Sequence, residues 1–170
     1  MKQKEIITAR LRLAALRPQD RDDLIAMLTD GDMTATYMVP DLQTEAQKDG
    51  LFERFRQLTL SDGRFAYGIF SGGRLCGMIH EVDKDGGAVE LGYFISSAEK
   101  GKGYATEALG AAITALFDGG FDTVRAGAFK ENAASMRVME KCGMTRTEKT
   151  EIISYRGKEH VCIYYGINKE

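Results

Sequence analysis

The stretch Glu90-Leu-Gly-Tyr-Phe-Ile-Ser-Ser-Ala-Glu-Lys-Gly-Lys-Gly-Tyr-Ala-Thr-Glu107 decides how this chain reads. An apolar, β-rich run enters a short loop with glycines at 101 and 103, and a helical pattern starts at once. Glycines there let successive backbone N–H groups face outward at a helix N-terminus, where unsatisfied donors and the dipole favour an anion. Lys100 and Lys102 add positive charge at the same place. A Walker loop is excluded because GxxxxGK[ST] does not occur. A Rossmann fingerprint is excluded because Thr106 stands where its third glycine belongs. Gly92, inside the run, marks a bulge, a bend or a close approach of ligand to backbone. Taken alone, Gly101 and Gly103 fit a tight strand-to-helix connection equally well.

Working outward, short β-rich runs at 65–70, 75–82 and 88–96 are separated by Ser71-Gly72-Gly73 and Asp85-Gly86-Gly87. Such punctuation predicts hairpin turns and a three-stranded antiparallel meander. Downstream, Ala105, Ala108, Leu109, Ala112, Ile113, Leu116 and Phe117 keep helical spacing up to Gly119-Gly120. A strand over 123–129, a short helix over 132–142 with Gly143 at C′, and strands over 145–155 and 159–167 turning at Arg156-Gly157 complete that half. Upstream, residues 6–16 read as one strand. A helix entered at Pro18 and Asp20 follows, stopped by Gly31. Residues 33–40 read as irregular, and a helix over 44–60 carries a Thr44/Gln47 capping box. The order β, α, α, βββ, α, β, α, ββ predicts an α/β fold with an α+β-like mixed sheet. No repeat or linker divides the chain, so residues 1–170 are expected to form a single domain.

Composition bounds the function. With 170 residues, 44% of them apolar, the chain can bury a real core. A net charge of -2 gives no global basic field, so no nucleic-acid partner is expected. No apolar run reaches membrane-spanning length, and Met1-Lys2-Gln3-Lys4-Glu5 does not open a signal peptide. Cys76, Cys142 and Cys162 are odd in number and without a CxxC pair. Disulfides and a metal site are therefore not expected, and a cytoplasmic location is.

Three segments together resemble the GNAT acetyltransferases, specifically the RimJ/RimL-type branch. They are Leu91-Gly-Tyr-Phe-Ile, then Gly101-Lys-Gly-Tyr-Ala-Thr-Glu-Ala108, then Asn132-Ala-Ala-Ser-Met-Arg-Val-Met-Glu-Lys-Cys-Gly-Met144. The opening Thr8-Ala-Arg-Leu-Arg-Leu13 and Pro18-Gln-Asp20 match how that branch begins. The resemblance implies a central twisted, mostly antiparallel sheet, splayed between its fourth and fifth strands and flanked by about four helices. Acetyl-CoA would lie in that gap as acetyl donor, with no metal. The backbone of Tyr93, Phe94 and Ile95 would pair with the pantetheine arm. The loop Gly101, Lys102, Gly103, Tyr104, Ala105 would cradle the pyrophosphate, with Thr106 adding a hydroxyl. The family's glutamine or arginine before the loop falls at Ala98, which removes one side-chain contact. Asn132 would touch the cofactor arm; the same residue suits a plain helix N-cap.

The resemblance further implies acetyl transfer to a primary amine, of a protein N-terminus or a small molecule, by direct attack in a ternary complex. That chemistry needs a base for the ammonium and a stabilised leaving thiolate. Glu90 is the candidate base, on the strand face shared with Gly92 and Phe94; His80 is the second. The acid tyrosine many members carry falls at Met139, leaving Ser135 as the candidate acid. His160 lies near where the branch often carries an aspartate, a place taken by Val161. Cys142 reads as a packed helix residue. The acceptor is expected between residues 33–43 and the hairpin at 155–160, with Tyr37, Met38, Phe52 and Tyr155 as candidate lining. A homodimer is compatible with family habit. The alternative function is a non-catalytic sensor or partner module that binds acetyl-CoA or CoA.

Overall fold

The computed structural model describes residues 4–170, so residues 1–3 of the opening segment, on which the signal-peptide reading partly rests, lie outside the described residues. One eight-stranded sheet runs through the molecule in the order β1-β2-β3-β4-β5-β6-β8-β7. Its strands are β1 (Ile6–Ile7), β2 (Arg12–Ala14), β3 (Ala66–Ser71), β4 (Arg74–Asp85), β5 (Ala88–Ile95), β6 (Thr123–Phe129), β7 (Thr145–Tyr155) and β8 (Lys158–Asn168). The helices are α1 (Arg21–Leu28), α2 (Gly31–Thr36), α3 (Glu45–Leu60), α4 (Tyr104–Asp118) and α5 (Ala133–Lys141). The meander β3-β4-β5 forms as the glycines predict, with Gly72 and Gly73 at φ +58° and +78° and Gly86 at φ +57°. These are left-handed values that a side chain disfavours.

The sheet is covered on both faces. Leu109, Ala112 and Leu116 of α4 and Met139 of α5 pack on Ile69, Ile79, Val89 and Leu91. On the opposite face Leu24 and Leu28 of α1, Met33 of α2 and Phe52 of α3 pack on Phe70, Met78 and Phe94. Each such fully buried side chain contributes about 1.5–3 kcal/mol relative to exposure. The capping box of α3 forms as read: Thr44 Oγ1 accepts from the Gln47 amide at 3.2 Å, and Gln47 Oε1 accepts from the Thr44 amide at 3.1 Å.

Two expectations are corrected. The expected first strand over 6–16 is broken into β1 and β2, paired antiparallel across a turn. The Thr8 amide donates to the Leu11 carbonyl at 2.9 Å and the Leu11 amide to Thr8 Oγ1 at 3.0 Å, so the chain reverses around Ala9 and Arg10. Residues 33–40 are not all irregular, because Gly31 opens α2 rather than merely ending α1. A six-residue helix containing one glycine and two threonines has too little intrinsic propensity to announce itself. It exists because Met33 is buried and Tyr37 docks behind it.

The feature that positions the site is a parting of strands. β5 and β6 pair in parallel from Ala88↔Thr123 to Leu91↔Ala126 and no further. β5 stays with β4 as far as Gly77↔Ile95, and β6 stays with β8 as far as Phe129↔Cys162. With β1 and β2 counted as one broken strand, this is the expected opening between the fourth and fifth strands.

Candidate functional site

The parting leaves residues 92–95 paired on one side only, so alternate N–H and C=O groups of that segment face the gap. The gap forms part of a cavity of about 640 Å³, within the usual range for small-molecule sites. At one end stands the loop read from sequence. Gly101 and Gly103 have φ +80° and +79°, and Gly103 is the N-cap of α4. These left-handed turns direct the first-turn amides of α4 toward the cavity, which Tyr104, Ala105 and Thr106 line.

Arg10 braces this loop from outside. Its Nη1 donates to the Lys102 carbonyl at 2.6 Å, and its guanidinium lies 4.9 Å from the Tyr104 ring centre. The turn between β1 and β2 is what brings it there. Lys100 lines the cavity; Lys102 does not, and its ammonium is paired with Glu99. Arg137 and Lys141, one turn apart on α5, add exposed positive charge to the wall. Sequence reasoning passed over both. Their spacing on an amphipathic helix beginning with the Asn132 motif was the available signal.

Asn132 caps α5, its Oδ1 accepting from the Ser135 amide at 3.2 Å. That leaves its Nδ2 donors without a partner among the described residues. Ser135 Oγ is 2.7 Å from Tyr93 Oη, and the Ser135 carbonyl, 3.3 Å away, is the alternative acceptor for the one phenol hydrogen. Burial pushes the Tyr93 phenol up to about 12, the Ser135 bond opposing. Met139 is fully buried, so no hydroxyl reaches the cavity from that position. Tyr93 supplies one instead, from β5, through its side chain rather than its backbone.

Further back along β5, where it still pairs with β6, and on the neighbouring β4 lies a second group of residues. Glu90 is half-buried on the cavity wall and makes no hydrogen bond or ion pair among the described residues. Burial raises its carboxyl pKa, opposed by Lys149 and Arg125 and reinforced by Asp83 and Glu151. Tyr37, Met38 and His80 line the same wall, whereas the expected Phe52 is a core residue under α3. Tyr155 works as a tie: its Oη accepts from the Val39 amide at 3.2 Å and donates to the Tyr37 carbonyl at 3.3 Å. The Arg156 guanidinium adds a bond to the Val39 carbonyl at 3.3 Å. His160 is stacked on Phe129 at 4.2 Å and paired with Glu131, while Val161 is exposed.

The three thiols are free, and burial raises the pKa of each. Cys142 Sγ donates to the Thr106 carbonyl at 3.3 Å, joining α5 to α4 as a packed residue. No group of three metal-ligating side chains occurs among the described residues, and no helix there is long and apolar enough to cross a membrane.

Known proteins share this architecture. The structure superposes on the acetyltransferase (GNAT family) from Bacillus anthracis with TM-score 0.83, 24% identity and coverage of 97% of this chain and 98% of that one. It superposes on the RimL ribosomal L7/L12 alpha-N-protein acetyltransferase with TM-score 0.82, 18% identity and coverage of 98% and 94%. In sequence it is 28% identical to the Bacillus subtilis (strain 168) protein named "Putative ribosomal N-acetyltransferase YdaF", over 99% of this chain and 94% of that protein. Residues 10–145, most of the chain and all three segments that carried the resemblance, match the family model of the acetyltransferase (GNAT) domain, and this chain belongs to that family.

Proposed function

We propose that this chain is an acetyl-CoA-dependent N-acetyltransferase that moves an acetyl group to a primary amine in a ternary complex, residues 1–170 acting as one cytoplasmic domain. The observation that carries this reading is a single cavity with two unlike ends. A nest of amides at the left-handed Gly101 and Gly103 lies at one end, and the unpartnered carboxyl of Glu90 lines the other wall. When bound, acetyl-CoA would supply an activated acetyl thioester. The residues present fit it: the open edge of Tyr93, Phe94 and Ile95 suits an amide-bearing arm, and the loop from Gly101 to Ala105 with Thr106 suits a pyrophosphate. Arg137 and Lys141 suit a further phosphate, and the free Nδ2 of Asn132 suits a carbonyl on the arm.

Glu90 takes the proton that an ammonium must lose. Its raised pKa moves it toward the operating pH, and no cation within bonding distance competes for it. A backbone N–H on the open edge of residues 92–95 is the donor available to charge developing on an acyl oxygen. The Ser135 hydroxyl serves the departing thiolate, with the Tyr93 phenol, which keeps its proton at neutral pH, donating to Ser135 Oγ so that the serine hydrogen stays available. Likeness to YdaF, named a ribosomal N-acetyltransferase, and to the RimL alpha-N-protein acetyltransferase favours the N-terminus of a ribosomal protein as the acceptor.

The test is thiol release from acetyl-CoA against peptide N-termini, amino acids and polyamines, run beside a calorimetric titration of acetyl-CoA. Amine-dependent release with an acetylated product is expected. Binding without release by any amine would favour the sensor module, and absence of binding would overturn the cofactor assignment.

A further inference from the structure

His80 of β4 stands opposite Gly92 of β5, where β5 begins to leave β6. Its imidazole lies along the β5 backbone. A Cβ on Gly92 would come within 3.4 Å of Cε1 and Nε2, and within 3.0 Å of Val82 Cγ2. The glycine that sequence reading flagged is thus what lets this ring reach the cavity.

The tautomer of His80 follows from its partners. Nδ1 is 3.2 Å from the Glu81 carbonyl, which can only accept, so Nδ1 carries the hydrogen. Nε2 therefore offers a lone pair, and Tyr37 Oη, 2.6 Å away, donates to it. Burial lowers the pKa of His80, the Arg64 charge adding and the Glu81 bond opposing, while burial raises that of Tyr37. Both groups therefore stay neutral. Phe94 meets the Tyr37 ring at 4.7 Å and Phe55 meets the His80 ring at 5.6 Å, both edge to face, which fixes the two orientations. With its one proton committed to His80, Tyr37 Oη keeps acceptor capacity that no described residue uses.

We propose that Tyr37 contacts the acceptor nitrogen, its Oη accepting one N–H while Glu90 takes the proton that leaves, with His80 as the positioning residue that keeps the Tyr37 proton turned away. This rests on the N-acetyltransferase reading. Both groups line the same cavity, and an acceptor at Tyr37 restricts the rotation of a nitrogen that Glu90 deprotonates. Without His80 the hydroxyl can rotate its proton into the cavity and meet the amine as a donor, which is the wrong polarity.

The test uses the full chain with an amine acceptor the wild type is shown to acetylate, and compares Tyr37→Phe, His80→Leu, His80→Gln and the double variant Tyr37→Phe/His80→Leu. Tyr37→Phe keeps the ring and its packing. It is expected to lower kcat/KM for the amine about tenfold while leaving the Kd for acetyl-CoA within twofold. His80→Leu should match that loss, and the double variant should be no worse than either single one. His80→Gln, whose amide oxygen can accept from Tyr37, should recover activity to within about threefold of wild type. Unchanged amine kcat/KM in Tyr37→Phe, additive losses, or a parallel loss of acetyl-CoA affinity would overturn the proposal with the N-acetyltransferase reading intact. A wild type that acetylates no amine would overturn both.

Discussion

Removing one oxygen atom from Tyr155 tests how the acceptor side is held together. Residues 37–43 run as a strap between α2 and α3, Tyr37 and Met38 lining the cavity, and the Tyr155 hydroxyl bonds the strap to the far hairpin at Val39 and Tyr37. In Tyr155→Phe the ring remains against Phe129, 6.1 Å between centres, so packing is nearly conserved. What is lost is the acceptor for the Val39 amide and the donor to the Tyr37 carbonyl. Val39 is only 4% exposed, so its N–H gains little water in exchange. A buried donor left unsatisfied costs about 1–3 kcal/mol. For a chain of this size that corresponds to a fall in Tm of roughly 2–12 °C. The bond from Arg156 to the Val39 carbonyl survives, so the strap should loosen rather than detach. Thermal denaturation measures the first effect. Steady-state kinetics measure the second: KM for the amine rises because Tyr37 is no longer held, while KM for acetyl-CoA stays put. A Tm within 1 °C of wild type would refute the claim that this hydroxyl holds the strap. Equal changes in both KM values would refute the separation of the two ends.

Glu90→Gln should lower kcat/KM by about 100-fold or more and abolish the acidic limb of its pH profile. The same variant should be more stable than wild type at pH 7. The raised carboxyl pKa means that folding favours the protonated form, a contribution present at low pH and lost as pH rises through the folded pKa. The Tm gap should therefore close toward pH 4, as differential scanning calorimetry would record. Gly103→Ala forces a side chain onto φ +79°, a strain of about 1–2 kcal/mol. If the free loop relaxes and binding must restore it, CoA affinity falls roughly 5- to 30-fold by calorimetry. Arg137→Ala/Lys141→Ala should weaken CoA binding yet leave dephospho-CoA binding nearly unchanged.

The parts of this molecule legible in sequence are those whose cause is local. Gly72, Gly73 and Gly86 announce their turns because φ near +60° is a property of one residue. Helix α4 is legible because its apolar side chains recur at the helical period. The glycine loop at 101–103 is legible for both reasons at once. The half of the cavity lined by Tyr37 and His80 was legible only as a place, and the Tyr155 tie, which does not line it, was not legible as a tie, because these bonds join residues far apart in the chain. Tyr37 meets His80 across 43 positions, and Tyr155 meets Val39 across 116. Asn132 shows the limit within a single motif. Both readings of it stood open, and the structure uses Oδ1 for the cap while leaving Nδ2 without a partner among the described residues. Tyr93 shows another. A search for a hydroxyl at position 139 on α5 cannot see one arriving from β5, because only the packing of helix on sheet brings Tyr93 to Ser135.

The gap itself follows from competition between neighbours. β5 is held by β4 from Ala88 to Ile95, and β6 by β8 through Phe129, so each inner strand owes most of its pairing to its outer partner. Beyond Leu91↔Ala126 the two partners draw them apart. Gly127 and Tyr164 show why the separation is firm. They are paired in register, and a Cβ on Gly127 would sit 2.7 Å from the Tyr164 ring. That ring fills the space beside β6, and its hydroxyl is anchored to Glu151 of β7 at 2.8 Å. β6 is thereby locked to the C-terminal hairpin, and β7–β8 sets the far wall of the cavity. The unpaired peptide groups of residues 92–95 face an open cleft that water can enter, so they cost little while free and offer a ready-made edge to an extended, amide-bearing ligand. Gly127 lines the cavity on β6, and filling it should therefore disturb the cleft by moving the Tyr164 ring. Gly127→Ala must displace the Tyr164 ring, and the expected result is weaker CoA binding together with a lowered Tm. A variant that lost stability yet bound CoA as wild type would show that the cleft does not depend on this lock.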